Sequence, residues 1–174
     1  MMRRLAHAVL LAALGAAGAR GEVEEYQLKA AVIFNFAKFV EWPPPAFSSA
    51  SDPIAVCVLG QNPFGNWLSD TLNGKLVSGR KFTIRHPSEP QEAGRCQIVF
   101  ISSSERKRFR TILDALKEES ALTVGDSPGF AGLGGVVNLS LEGDTVRMEV
   151  NVEAARQKHL QISAKLLSLA RIVK

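Results

Sequence analysis

The chain has 174 residues, of which 46% are apolar and 22% charged, and its formal charge is +4. That length suits one domain with a sizeable core. So small a net charge offers no concentrated basic surface for counterion release, and no nucleic-acid partner is expected.

The first residues, Met1-Met2-Arg3-Arg4, lead into an apolar run from Leu5 to Leu14 and then the small residues Ala17-Gly18-Ala19. A basic start, a short apolar core and an A-x-A end are the pattern of a secretory signal peptide, with cleavage near Ala19. The core is too short to span a bilayer as a stable anchor, since a transmembrane helix needs roughly 20 apolar residues. A retained amphipathic anchor is the alternative. Export leaves residues 20–174 as a single domain, and loss of Arg3 and Arg4 brings its charge to about +2.

The next element, Leu28 to Trp42, is predicted as an amphipathic helix. At about 100° per residue, Leu28, Val32, Ile33, Phe36, Phe39 and Val40 share one arc, and Gln27, Asn35, Lys38 and Glu41 share the opposite one. Phe34 falls within the polar arc beside Lys38 and Glu41, and Trp42 follows on that side if the last turn holds. Pro43, Pro44 and Pro45 then stop the helix.

Ala46 to Pro53 reads as a surface loop. Ile54 to Leu59 is an unbroken apolar run, as in a strand buried on both faces of a parallel sheet. Asn62-Pro63 is expected to open a helix through Phe64, Trp67, Leu68 and Leu72, ending at Asn73-Gly74. Lys81 to His86 alternates as a strand with one polar face, and Gln97 to Ile101 is a second buried strand. Ser102 to Ser104 is read as the cap of a helix from Glu105 to Glu119, whose Phe109, Ile112, Leu113 and Leu116 form one stripe. Ala121 to Gly125 is a third apolar strand. Val136 to Leu141 and Thr145 to Val150 flank a hairpin turn. Asn151 is expected to cap a last helical region, in which Ile162, Leu166, Leu169 and Ile172 recur at 4-3-3 spacing. The fold class is therefore α/β: one domain with a mixed five- to six-stranded sheet, parallel in its core, extended by an antiparallel C-terminal hairpin and flanked by helices.

Little in the chain carries catalytic chemistry. Gly125-Asp126-Ser127-Pro128-Gly129 fits the G-x-S-x-G pattern, with Asp144 and His159 downstream in the order of an α/β-hydrolase. The residue after the nucleophile must donate its N–H to an oxyanion, and Pro128 has none. A turn is the simpler reading. His86 and His159 lack neighbours at metal-ligand spacing, and Gly129 to Gly135 breaks the G-x-G-x-x-G fingerprint and precedes a strand, so it reads as a close-packed turn. No cofactor, metal or catalytic residue is expected. Arg106, Lys107, Arg108 and Arg110 form a solvated basic face, with docking to anionic lipid as the alternative. Cys57 and Cys96 are the only cysteines; in an exported chain one disulfide is expected, with a reduced thiol pair or a metal pair as alternatives.

The segments Leu28 to Pro43, Cys57-Val58-Leu59-Gly60, Gly79-Arg80, Leu122 to Asp126, Gly134-Gly135, Glu149-Val150-Asn151 with Ala154-Ala155, and Leu160 to Leu167 together resemble the YfiR family. The resemblance covers nearly all of residues 20–174, and its most specific parts are the opening helix and the closing segment. It implies a periplasmic α/β regulator without catalytic activity that tends to dimerise. Such a regulator binds the periplasmic part of an inner-membrane signalling enzyme, typically a diguanylate cyclase, and holds it inactive. It also implies a Cys57–Cys96 disulfide. A further cysteine pair known in the family has no counterpart here, so redox control through it is not carried over.

An aromatic among charged neighbours is a common interface anchor, so Phe34, Lys38, Glu41 and Trp42 are the expected partner- or ligand-binding residues. Packing under the Ser48 to Pro53 loop or in a homodimer contact is the competing role for Phe34 and Trp42. The partner is expected to be a diguanylate cyclase or a sensor kinase. The alternative function is a small-ligand-binding accessory protein of a membrane sensor kinase or transport system, holding an apolar or aromatic ligand between the opening helix and the sheet.

Overall fold

The computed structural model describes residues 14–174, so the start of the expected leader, including Arg3 and Arg4, lies outside the described residues. Helix α1 (Leu14–Phe39) is followed by β1 (Val40–Glu41), β2 (Ile54–Leu59), α2 (Trp67–Leu72), β3 (Leu76–Val77) and β4 (Arg80–Arg85). Then come α3 (Pro90–Ala93), β5 (Ile98–Ile101), α4 (Phe109–Ala115), β6 (Leu122–Gly125), β7 (Val137–Glu142) and β8 (Thr145–Asn151). The chain closes with α5 (Val152–Gln157), β9 (Gln161–Ile162), α6 (Ala164–Leu167) and β10 (Arg171–Val173). Among the described residues no helix is long and apolar enough to cross a membrane.

The main sheet runs β10-β8-β7-β6-β5-β2-β4-β3, and β1 pairs separately with β9. Strands β4, β2, β5, β6 and β7 are parallel, and the β7–β8 hairpin is antiparallel. The class is the one expected, but the sheet has eight strands rather than five or six. The extra strands are β3 and β10, edge pieces of two and three residues, too short to show a period in the sequence.

The apolar run of β2 is buried throughout and divides its side chains by alternation. Ile54, Val56 and Val58 join one core layer beneath α1 and α2, while Ala55, Cys57 and Leu59 join a second layer beneath α3 and α4. Cys57 and Cys96 form a disulfide within the second layer, with Cα atoms 5.9 Å apart. Closing a loop of this length stabilises the fold by about 4 kcal/mol in the chain-entropy model. The glycine-rich segment is a close-packed turn, as expected. Phe130 lies so close over Gly125 and Gly135 that a Cβ on either would meet its ring at 2.5 and 2.2 Å, and the ring packs edge-on against Phe109.

Three helices differ from their sequence reading. The helix expected from Asn62-Pro63 begins only at Trp67; the Asn62 side chain instead closes a local turn, accepting from Phe64 N–H and donating to Gly65 O. Ser102 does cap the following segment, accepting from Ser104 N–H, but its first six residues are 3-10 and α4 occupies only Phe109–Ala115. Asn151 caps α5 through Ala154 N–H, yet no long final helix follows. His159 adopts φ 57°, which ends α5, and Gln161–Ile162 leaves to pair with Val40–Glu41. Of the expected apolar stripe only Leu166 is fully buried; Leu169 is 69% exposed and Ile172 46%.

Lys158 ends up buried, with its ammonium donating to the carbonyls of Leu116 and Glu119 just beyond α4. Burial pushes its pKa down from 10.5 to about 8, against the attraction of Glu119 and Glu118. A lysine with a lowered folded pKa binds fewer protons folded than unfolded between those two values, so the site destabilises below pH 8 and its penalty disappears as pH rises to about 10.5. Urea titrations at pH 7.5 to 10.5 should therefore show a rising contribution to stability in the native sequence that Lys158→Met lacks.

Candidate functional site

Helix α1 lies across the parallel strands, and two clamps, one near its middle and one just past its C-terminal end, determine which of the residues between them remain free. Ala30, Ile33, Phe36 and Ala37 are its buried apolar residues, followed by buried Val40 on β1, and Val32, Phe34 and Phe39 are half-buried. Leu28, assigned from the sequence to the apolar arc, is 40% exposed, and Lys29 takes its place in the interior at 1%. The Lys29 ammonium pairs with Glu25 and, at 3.0 Å, with Asp126 immediately after β6. The Tyr26 hydroxyl donates to the same Asp126 oxygen at 2.7 Å. Sequence periodicity misses this cluster, because a lysine and an aspartate almost 100 residues apart give no local signal; the sole hint is a lysine within one residue of the apolar arc.

At the C-terminal end the helix stops at Phe39 because the Val40–Glu41 strand pairs with β9, and Pro43 then disfavours helical backbone at Trp42. The last turn therefore does not hold, and Trp42 does not continue along the Phe34 side of the helix. It is half-buried, and its indole N–H donates to Gln97 O at 2.9 Å, just before β5. Gln97 is itself buried, accepting from Ala55 N–H and donating to Ala46 O.

Between the two clamps, Phe34 faces the opposite edge of the sheet. Its ring lies 5.8 Å from that of Phe82 on β4, and two ammonium groups converge on it, Lys38 at 4.3 Å and Lys75 at 4.4 Å from the centroid. Each such contact is worth about 0.5–1 kcal/mol at an exposed site. It also holds two like charges within about 9 Å of each other, an arrangement that an anion would relieve. Neither lysine has a carboxylate partner among the described residues. Of the four predicted site residues, the structure thus brings Phe34 and Lys38 together and adds Lys75 and Phe82. Glu41 is exposed on the short β1 strand, and Trp42 lies beyond it.

The other candidates resolve in the same way. Ser127 is 1% exposed with Pro128 following it, which is the geometry of a turn rather than of a nucleophile. Among the described residues no group of three or more His, Cys, Asp or Glu side chains could hold a metal. The interface between α1 and the sheet is filled by the α1 core residues packed with Val56, Phe100, Val124 and Val137. Two concavities lie elsewhere. One of about 710 Å³ sits over Gln97 and Cys96 between Arg85, Arg95, Glu118 and Glu119, and one of about 560 Å³ runs between α2 and β4.

A family model described as YfiR/HmsC-like matches residues 26–171. The chain belongs to the YfiR/HmsC-like family. That family consists of periplasmic regulators, in agreement with the resemblance seen in the sequence. No curated protein is significantly similar to the chain. Among solved structures, a conserved domain protein of Vibrio cholerae O1 biovar El Tor is 11% identical, with a TM-score of 0.56, covering 70% of this chain and 55% of its own. The ABC domain of a Streptococcus pneumoniae protein, solved in complex with L-Trp, is 8% identical with a TM-score of 0.55, covering 86% of this chain and 60% of its own. The chain thus spans little more than half the length of these structures, and at such identity they share the fold alone.

Removing Lys29 alone would strand the buried Asp126 carboxylate. Lys29→Met should lower stability by about 3–5 kcal/mol in urea unfolding, and Lys29→Met combined with Asp126→Asn should recover part of the loss.

Proposed function

We propose that this YfiR/HmsC-like chain is a non-catalytic periplasmic regulator that binds the periplasmic part of an inner-membrane diguanylate cyclase and holds the enzyme inactive. The family assignment over residues 26–171 supports this reading, and the cluster of half-buried Phe34 and Phe82 under the exposed Lys38 and Lys75 supplies its surface. Phe34 and Lys38, with Lys75 and Phe82, form the centre of contact. Glu41 lies on β1 just beyond that helix, and Trp42 ties the segment to Gln97 before β5. A rigid aromatic flanked by cations binds at low entropic cost, because the packing of α1 already orients it. Export through the leader places the chain in the compartment of its partner, and a homodimer is the form in which it acts.

Deleting the gene should raise cellular cyclic di-GMP, and a periplasmic pull-down should recover a membrane cyclase. Phe34→Ala and Lys38→Glu should weaken that recovery about tenfold or more while leaving the protein folded. Unchanged cyclic di-GMP together with no recovered cyclase would overturn the proposal, and recovery of a sensor kinase in its place would assign the regulator to that class.

A further inference from the structure

The β4 edge next to Phe34 is incomplete. Strand β4 pairs with β2 from Phe82 to Arg85, but on its outer side β3 covers only Arg80 and Lys81. The outward backbone groups of Phe82–Arg85 therefore meet no strand, and an open edge is a template for another chain. The 560 Å³ groove lies along this edge, with α2 and the Asn73-Gly74-Lys75 turn as its other wall. Its floor on the α1 side is apolar: Leu72 is buried, and Phe82 and Ile84 are half-buried. Alternation along β4 turns Lys81 and Arg85 to the other face of the sheet, both exposed. Lys75 stands at the rim on the Phe34 side, and Leu76 on β3 is 58% exposed. None of Lys38, Lys75, Lys81 and Arg85 pairs with a carboxylate among the described residues.

We infer that the groove between α2 and β4 receives an extended acidic peptide segment, which adds to the sheet as a strand in line with β3. Backbone hydrogen bonds to Phe82–Arg85 hold the segment, and alternate side chains divide its recognition. Apolar residues of the segment enter the groove over Leu72, Phe82 and Ile84, and the intervening acidic residues reach Lys81 and Arg85. Acidic groups at the rim meet Lys75 and Lys38, relieving the repulsion around Phe34. The source of the segment rests on the function proposed above, in which it belongs to the membrane partner; strand addition itself does not depend on that assignment.

The test uses a short fluorescein-labelled peptide alternating glutamate and valine, followed by anisotropy and by amide hydrogen exchange of the protein. Saturable binding with new protection confined to β4 is expected. Lys81→Glu combined with Arg85→Glu, which changes two exposed side chains, should weaken binding at least tenfold and should bind the matching lysine–valine peptide instead. A glutamate–valine peptide with proline at alternate positions should not bind, because it cannot complete the ladder. No binding at millimolar peptide, protection elsewhere than β4, or equal binding of the proline peptide would each overturn strand addition. Cyclic di-GMP levels in the deletion strain report on the cyclase separately, so failure of either idea is visible without the other.

Discussion

The placement of the aromatic–lysine cluster depends on how α1 is fixed to the sheet. Apolar burial alone would let a helix slide or roll, since hydrophobic contact is non-directional. Directional contacts prevent this: Lys29 and Tyr26, midway along the helix, bind Asp126 beyond β6, and Trp42, just past its C-terminal end, binds Gln97 before β5. The helix is thereby pinned at opposite ends of neighbouring parallel strands, with Ile33 and Phe36 directed into the core. A buried pair rarely outperforms an apolar replacement in stability, and what this pair adds is direction. It fixes the rotation of the helix, and that rotation presents Phe34 to Phe82, Lys38 and Lys75.

The second constraint is the connectivity of the sheet. Strand β2 leads to β4 on one side, and the chain then returns across β2 to β5, β6 and β7 on the other. One core layer consequently lies beneath α1 and α2, and the other, with the disulfide, beneath α3 and α4. Because the chain turns back after β4, that strand is left near the sheet edge with only β3 beside it. The open edge and the aromatic–lysine cluster are therefore neighbours by topology.

The parallel core was legible in the sequence because β2 and β5 are unbroken apolar runs and β6 is interrupted only by Thr123, the pattern of strands buried on both faces. The caps at Ser102 and Asn151 were legible too, since each is a local contact between a side chain and a nearby N–H. The C-terminal segment misled because 4-3-3 spacing from Ile162 to Ile172 mimics a helix, whereas pairing of β9 with β1 and of β10 with β8 is non-local. In the candidate site, Phe34 and Lys38 could be placed by periodicity because both lie on α1. Lys75, Phe82 and the Lys29–Asp126 pair could not, since each reaches its partner across the fold.

If α1 is clamped as a part of the sheet, its backbone must open only when the sheet opens. Hydrogen exchange of the native protein tests this directly. Amides from Ala30 to Phe39 are predicted to exchange in one slow class with those of β2, β5 and β6, and to become faster than the sheet when Lys29→Met and Trp42→Phe are combined. An α1 that already exchanges quickly in the native protein, while the three strands stay protected, would contradict the account.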